Sequence, residues 1–281
     1  MSAFTLYMPP ISTIRSYKEM VDYAASHNIR YLETLNILDL STPDLQVARE
    51  LKAYADSKGI SFPCVSVGIN LVEEAQGVEI LKQYAQVAQI LGSPYLHHTI
   101  ALNFSEPQKI AENFEAYYSR GLAAVREIYD YAATLGVRTI YEDQGFLFNG
   151  CKNFTRFLGE VDRNVGIVAD FGNIQFVDED VEDFITKFAD RIVHVHVKDY
   201  IVTDGTTRAV QEGEYITKGG NYLRDCLVGQ GSVHTETAFQ SLQAIGYKGY
   251  VALEGGPMGP DEEASFRKNL ETVTAYMDRY L

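Results

Sequence analysis

Three carboxylates and one histidine stand at the ends of four successive apolar runs in the second half of the chain. They are Glu142 in VRTIYEDQG, Asp170 in VGIVADFGN, His196 in IVHVHVKDY and Glu254 in YVALEGG. Each run is typical of a short buried strand followed by turn residues. Converging carboxylates in a low-dielectric cavity repel one another unless a cation neutralises them. Oxygen ligands with one imidazole predict a single divalent metal ion, Mn²⁺ first, with Mg²⁺, Co²⁺ or Zn²⁺ as alternatives.

The alternation of side chains along a strand places these four residues on one face. In the run 192–198, the polar residues His194, His196 and Lys198 face one way, and the valines, Val193 among them, face the other. The valines suit packing against helices, so the polar set must face the opposite side of the sheet. The same parity puts the three carboxylates on that inner face.

The elements that must carry these residues are short β-rich runs that alternate with longer helical patterns. Such alternation predicts a parallel sheet. The candidate strands cover residues 5–8, 29–35, 62–68, 94–100, 137–142, 165–170, 192–198 and 250–255. Amphipathic helix patterns cover residues 16–27, 44–58, 76–91, 108–135, 180–189, 236–245 and 262–280. Four glycines are expected just past helix ends, at Gly59, Gly92, Gly136 and Gly246.

Eight strands with intervening helices predict an α/β fold of the (β/α)8 TIM-barrel type, in one domain over residues 1–281. An open doubly wound sheet is the alternative, but no glycine-rich nucleotide fingerprint follows the first strand. Two connections, 143–151 and 199–235, are longer than the fold requires and are expected to form substrate lids or dimer contacts. In such a barrel, the loops after the strands build the active site.

Composition excludes several classes of protein. A formal net charge of −14 disfavours a nucleic-acid surface. No stretch approaches the roughly 20 apolar residues of a membrane span, and the N-terminus lacks a signal-peptide pattern. Three cysteines without metal-type spacing disfavour a disulfide framework, so the cytoplasm is the expected compartment. The 19 tyrosines and apolar helices permit a homo-oligomer.

Further residues are candidates for contact with a small carbohydrate. Only one of His97 and His98 can face inward, and His98 is taken as a ligand of a substrate hydroxyl, with a structural role as the alternative. Glu33 ends the second strand, where it is expected to bind a sugar hydroxyl or to pair with Lys198. Lys198 is expected to hold a substrate oxygen or phosphate, or to pair with Glu33 or Asp170.

At these positions the chain resembles the sugar phosphate isomerase/epimerase superfamily of xylose isomerase-like TIM barrels, over almost its whole length. The resemblance is carried by Glu142, DFGN (170–173), HVHVKD (194–199), GQG (229–231) and GYKGYVALE ending at Glu254. It implies that Glu142, Asp170, His196 and Glu254 bind the metal and that both glutamates serve as catalytic acid and base. Asn173 and His194 are then assigned to the substrate side, with a hydrogen bond to a ligand as the alternative role of His194.

The chain departs from ketose 3-epimerases of free sugars at three positions. Asn173, Val202 and Phe148 stand where those enzymes have His, Arg and Glu. The Lys-Asp pair after His196 is more similar to the sugar-phosphate branch. If the substrate carries phosphate, backbone amides around Gly219–Gly220 or Gly229–Gly231 form a candidate nest, with Arg208, Lys218 or Arg224 nearby; the alternative is that these glycines only shape the loop.

The resulting hypothesis is a metal-dependent sugar or sugar-phosphate epimerase or isomerase that abstracts a proton beside a ketose carbonyl, through an enediolate. The first alternative is an inosose-type dehydratase that uses the same metal site. A catalytically silent sugar-binding barrel is a third hypothesis. The sugar, and whether it is phosphorylated, are not identified by the sequence.

Overall fold

Eight parallel strands close into a barrel in the computed structural model, which describes residues 2–102 and 107–281. The one-domain prediction extends over Met1 and residues 103–106, which lie outside the described residues. The barrel strands are β1 (Ala3–Leu6), β2 (Tyr31–Thr34), β3 (Ser61–Val67), β4 (Tyr95–His98), β5 (Arg138–Glu142), β6 (Gly166–Asp170), β7 (Ile192–Val197) and β11 (Tyr250–Leu253). They pair in the order β1-β11-β7-β6-β5-β4-β3-β2, which confirms the predicted TIM barrel.

The helices surround the barrel. They are α1 (Tyr17–Ser26), α2 (Leu45–Lys58), α3 (Gly77–Leu91), α4 (Pro107–Glu112), α5 (Phe114–Thr134), α6 (Gly150–Glu160), α7 (Val181–Lys187), α8 (Thr235–Ala244) and α9 (Glu262–Tyr280). Asp44 starts α2 by accepting from the amides of Gln46 and Val47. Gly59 ends α2 at φ 71°, a left-handed conformation that a side chain would disfavour. None of the described helices is long and apolar enough to cross a membrane.

The structure differs from the sequence-based expectation in several elements. The predicted helix 108–135 is divided into α4 and α5. The predicted loop 143–151 ends in α6, which starts at Gly150 and which the helix patterns had missed. The predicted loop 199–235 contains a three-stranded antiparallel sheet of β8 (Asp199–Thr203), β9 (Tyr215–Ile216) and β10 (Tyr222–Cys226). Strand β1 begins and ends two residues earlier than predicted, because Ala3 to Leu6 pair with Tyr250 to Leu253 of β11.

The predicted alternation of side chains between the inner and outer faces of the barrel has one exception. Cys64, Ile140 and Val168 form a small apolar cluster inside the barrel, separate from the main core between strands and helices. Val193 packs against that inner cluster, although alternation predicted that it faces the helices. The register between β6 and β7 shifts at this point, and such a bulge turns a side chain to the other face.

Candidate metal and catalytic site

The four predicted ligands converge at the C-terminal ends of adjacent barrel strands. Each offers one ligand atom, and these atoms all lie within 4.8 Å of one another. Nδ1 of His196 lies 3.1 Å from Oε2 of Glu142, 3.2 Å from Oε2 of Glu254 and 3.8 Å from Oδ2 of Asp170. The imidazole nitrogen and one oxygen of each carboxylate therefore point toward a common centre.

Two of these buried oxygens accept no well-directed hydrogen bond among the described residues. They are Oδ2 of Asp170 and Oε2 of Glu254, whose near neighbours are nitrogens of the site itself, Nζ of Lys198 at 3.0 Å and Nδ1 of His196 at 3.2 Å. Buried oxygens of this kind retain capacity to bind an ion or a water. The donor set thus fits a hard or borderline divalent cation.

Charge around the centre is partly balanced by Lys198. Its Nζ lies 3.0 Å from Oδ2 of Asp170 and 2.9 Å from Oε1 of Glu254. Burial raises the pKa of Asp170 to about 8, with Glu254 and Glu142 adding to the rise and Lys198 opposing it. Burial also opposes ionisation of Glu254, but Lys198 and His196 outweigh it and lower its pKa. A proton and a metal cation would therefore compete for the same carboxylates.

Glu33 lies on the side of His196 opposite the three carboxylates and is completely buried. Its Oε1 lies 3.1 Å from Nε2 of His196, and its Oε2 lies 2.6 Å from Nε2 of His194. The expected pairing of Glu33 with Lys198 is replaced by these contacts with two histidines. Burial opposes ionisation of Glu33, yet His196 and His194 outweigh it and hold its pKa well below the usual value. His194 is likewise fully buried, and it contacts Glu33 at a position below the four ligands.

The histidine of β4 that faces the site is His97, not His98. His97 pairs in register with Ser66 of β3, and its Nδ1 forms a hydrogen bond of 2.9 Å with the Ser66 hydroxyl. Its Nε2 lies 3.2 Å from Oε2 of Glu142. His98 points to the helix layer, where its ring nitrogens contact the Thr99 carbonyl and the Tyr141 hydroxyl. The prediction that His98 contacts substrate is therefore corrected, because strand parity gives the inner face to its neighbour.

Asn173 holds two of the ligands in place. Its side-chain amide donates to Oε1 of Glu142, and its backbone N–H donates to Oδ1 of Asp170 at 2.8 Å. Asp170 therefore caps the turn that carries Asn173, and only one of its oxygens remains for a cation. Asn173 is 1% exposed but lines the cavity above the centre.

A cavity of about 220 Å³ opens above these residues. Polar groups line its floor, and apolar side chains line much of its wall. The lining residues include Tyr7, Leu35, Val67, His97, Leu102, Glu142, Gln144, Asn173, Phe176, Lys198, Tyr200, Tyr215 and Glu254. Tyr7, which directly follows β1, was not among the predicted site residues; its ring stacks on His196 at 4.8 Å between centroids.

Comparison with known proteins agrees with this geometry. The family described as xylose isomerase-like TIM barrel matches residues 21–276. The chain belongs to this family. A xylose isomerase domain protein from Planctomyces limnophilus has 18% identity and a TM-score of 0.78, covering 99% of this chain and 98% of that one. D-allulose 3-epimerase from Methylomonas sp., in complex with D-allulose, has 19% identity and a TM-score of 0.76, with coverages of 98% and 97%. At such identities these structures show the fold alone.

One curated relative matches over part of the family barrel. Inosose dehydratase from Geobacillus thermodenitrificans is 26% identical in an alignment 129 residues long, and the match covers 44% of this chain. The match spans 42% of that relative's length. The proteins similar to this xylose isomerase-like chain thus include both an epimerase and a dehydratase.

Proposed function

We propose that this protein is a metal-dependent sugar isomerase or epimerase that moves a proton beside a ketose carbonyl. The observation that carries the proposal is the convergence of Glu142, Asp170, His196 and Glu254, whose candidate ligand atoms all lie within 4.8 Å of one another. We propose Mn²⁺ as the resident ion, with Mg²⁺, Co²⁺ and Zn²⁺ as alternatives, because three of the four ligands are carboxylates. A carbohydrate substrate is supported by the similarity to D-allulose 3-epimerase.

A bound divalent cation would supply Lewis-acid polarisation of the substrate carbonyl. The two glutamates do the proton transfer. Glu142 is oriented by the Asn173 amide, and Glu254 by Lys198, whose Nζ lies 2.9 Å from Oε1. We infer that one glutamate removes a proton from the carbon beside the carbonyl, and that the other, in its protonated form, returns a proton to the opposite side. Such acid–base catalysis typically contributes about 10²–10⁴-fold to the rate.

Dehydration of a keto-polyol is the second candidate. It is favoured by the match to inosose dehydratase, and it begins with the same proton abstraction. The two reactions diverge only in whether a β-hydroxyl leaves. Product mass separates them, because an epimerase conserves mass and a dehydratase loses one water.

The test combines metal analysis with isotope exchange. The purified protein is assayed for bound metal, and a panel of ketoses is incubated with it in D₂O while C–H signals are followed by NMR. We expect one equivalent of divalent metal, exchange at the carbon beside the carbonyl, and loss of exchange in Glu142→Gln and Glu254→Gln. The exposed Glu271→Gln is the matched control. Full exchange in both active-site variants would contradict the role of the two glutamates, whereas a wild type that binds a ketose without any exchange would support the silent sugar-binding barrel.

Location and assembly stay predictions. The three cysteines are free, which supports the reducing cytoplasm as the compartment. Homo-oligomer formation is proposed from the tyrosine-rich helices and is measured by light scattering. No nucleic-acid or membrane partner is proposed, in agreement with the net charge of −14.

A further inference from the structure

The candidate phosphate nest at Gly229–Gly231 is filled by a carboxylate of the chain itself. Oδ2 of Asp199 accepts from the amides of Gly229 and Gly231, both at 2.9 Å. Its Oδ1 accepts from the amides of Tyr200 at 2.9 Å and Val233 at 3.2 Å. A Cβ on Gly231 would lie 2.1 Å from Oδ1 of Asp199, so glycine is required for this close approach. Amides that would otherwise cradle an anion are therefore already bound to one.

The second candidate nest is filled in the same way. The carboxylate of Asp178 accepts from the Gly219 amide at 2.6 Å, from the Thr217 hydroxyl at 2.7 Å and from the Asn221 side chain at 3.0 Å. The Gly220 amide donates to the Thr217 carbonyl at 3.0 Å. The glycines in this segment thus shape the chain around Asp178.

The cations considered for a phosphate are engaged or lie elsewhere. Arg208 and Arg224 both pair with Glu214, at 2.6 Å and 3.1 Å, and the Glu214 side chain is only 1% exposed. Lys218 lines a separate cavity beside α5 and α6. Among the described residues that line the 220 Å³ cavity, Lys198 is the only Lys or Arg, and it contacts two carboxylates.

The surroundings of the site are neutral or acidic. A neighbouring cavity of about 300 Å³ shares Lys198, Tyr200, Tyr215 and Glu254 with the first, and Asp225 also lines it. The outer wall of the first cavity carries Leu35, Leu102, Phe176 and Tyr215. A divalent cation and Lys198 would together carry three positive charges, and the three carboxylates of the site carry three negative charges. The net charge would then be zero, so a substrate dianion would have no counter-charge in the cavity.

We propose that the substrate is an uncharged ketose or keto-polyol, with neither phosphate nor carboxylate. The inference deepens the proposed function and rests on it. The Lys-Asp pair after His196 resembled the sugar-phosphate branch, whereas the structure favours a substrate without phosphate. The reason is that Asp199 of that pair occupies the anion nest.

The test compares matched pairs of substrates on the metal-loaded protein. Fructose, ribulose and xylulose are each assayed beside their terminal phosphate esters, by exchange in D₂O and by calorimetric binding. We expect kcat/KM for the neutral member of the best pair to exceed that of its ester by about 100-fold or more, because a dianion would be desolvated without a partner. Faster exchange with an ester would overturn the inference and leave the proposed function standing.

The calorimetric binding measurement distinguishes a failure of the proposed function from a failure of the neutral-substrate inference. If no sugar exchanges although metal is bound, the proposed function fails. Calorimetric binding of a neutral ketose without its ester would still support the neutral-substrate inference in that case. Tighter binding of the ester, or no binding of any neutral ketose, would overturn it.

Inorganic phosphate provides a probe of the nest itself. Asp199→Gly empties the nest, whereas Asp199→Asn keeps a side-chain oxygen in it. We expect millimolar phosphate to raise the Tm of Asp199→Gly but not that of the wild type or of Asp199→Asn. Stabilisation of the wild type through these amides would overturn the inference. If Asp199→Gly does not fold, the wild type and Asp199→Asn still decide the question.

Discussion

Nε2 of His196 lies 3.1 Å from Oε1 of Glu33, while Nδ1 of the same ring faces the three carboxylates of the site. A ring nitrogen that donates to a buried carboxylate leaves the other nitrogen free to bind a cation. Glu33 therefore sets both the tautomer and the orientation of His196. It does so from below the cavity, without lining it.

Replacement of Glu33 by Gln is expected to weaken metal binding by about 10–100-fold, the usual cost of losing the partner of a metal-binding histidine. The amide can still contact His196, but it no longer fixes the tautomer by charge. Titration calorimetry with Mn²⁺ measures the change. Glu50→Gln, on an exposed surface pair with Lys18, is the matched control. Equal affinities of the two variants would contradict this role of Glu33.

The neighbours His97 and His98 are expected to separate activity from stability. His97→Gln should lower kcat/KM, because Nε2 of His97 lies 3.2 Å from Oε2 of Glu142. His98→Gln should leave kcat/KM within about twofold and lower the free energy of unfolding, by about 1–3 kcal/mol for a lost buried hydrogen-bond partner. Steady-state kinetics and urea unfolding measure the two effects. Loss of activity in His98→Gln with an unchanged stability would be the opposite result.

His98 also gives the fold an acid sensitivity. Burial lowers the pKa of His98 from 6.5 to about 3. A base whose pKa is lowered in the folded protein contributes stability above pH 6.5, and this stability is lost as the pH falls toward 3. We expect the free energy of unfolding of His98→Gln to fall with pH less steeply than that of the wild type, by about 1.4 kcal/mol per pH unit. Urea unfolding at a series of pH values across this window measures the slopes, and parallel slopes would argue against a buried neutral His98.

Lys198→Met is expected to destabilise the metal-free protein, by about 3–5 kcal/mol, because it removes the cation from a buried group of carboxylates. Added metal should restore part of the loss, since it supplies the missing positive charge. Thermal unfolding with and without Mn²⁺ measures both quantities. Lys52→Met, which breaks an exposed pair with Asp56, is the control and should change the stability by at most about 1 kcal/mol. A metal-free Tm of Lys198→Met equal to that of the control would refute the balancing role.

Metal binding is expected to release a proton at neutral pH. Burial raises the pKa of Asp170 to about 8, so below that pH the carboxyl holds a proton in the metal-free fold. For an acid with a raised pKa, the contribution to stability is present at low pH and is lost as the pH rises from 3.8 toward 8. Metal affinity should accordingly rise with pH and level off above 8. Calorimetry in buffers of different ionisation enthalpy counts the protons, and zero release below neutrality would contradict the assignment.

The sequence by itself determined the barrel and the inner face that carries the four candidate metal ligands. Period-two alternation and the strand-end positions of Glu142, Asp170, His196 and Glu254 are local properties, and parallel strands bring their carboxyl ends to one rim. The predicted strands are found in the structure, with a two-residue shift at the first. Local pattern therefore sufficed wherever a residue's neighbours along the chain fixed its direction.

Only the tertiary structure decided the contacts that depend on distant segments. Glu33 reaches His194 across 161 positions in sequence, and Asp199 reaches the Gly231 amide across 32. The choice between His97 and His98 required the register with β3, and the turned Val193 required the bulge against β6. Register and loop closure are set by packing of the whole barrel, so no short sequence window contains them.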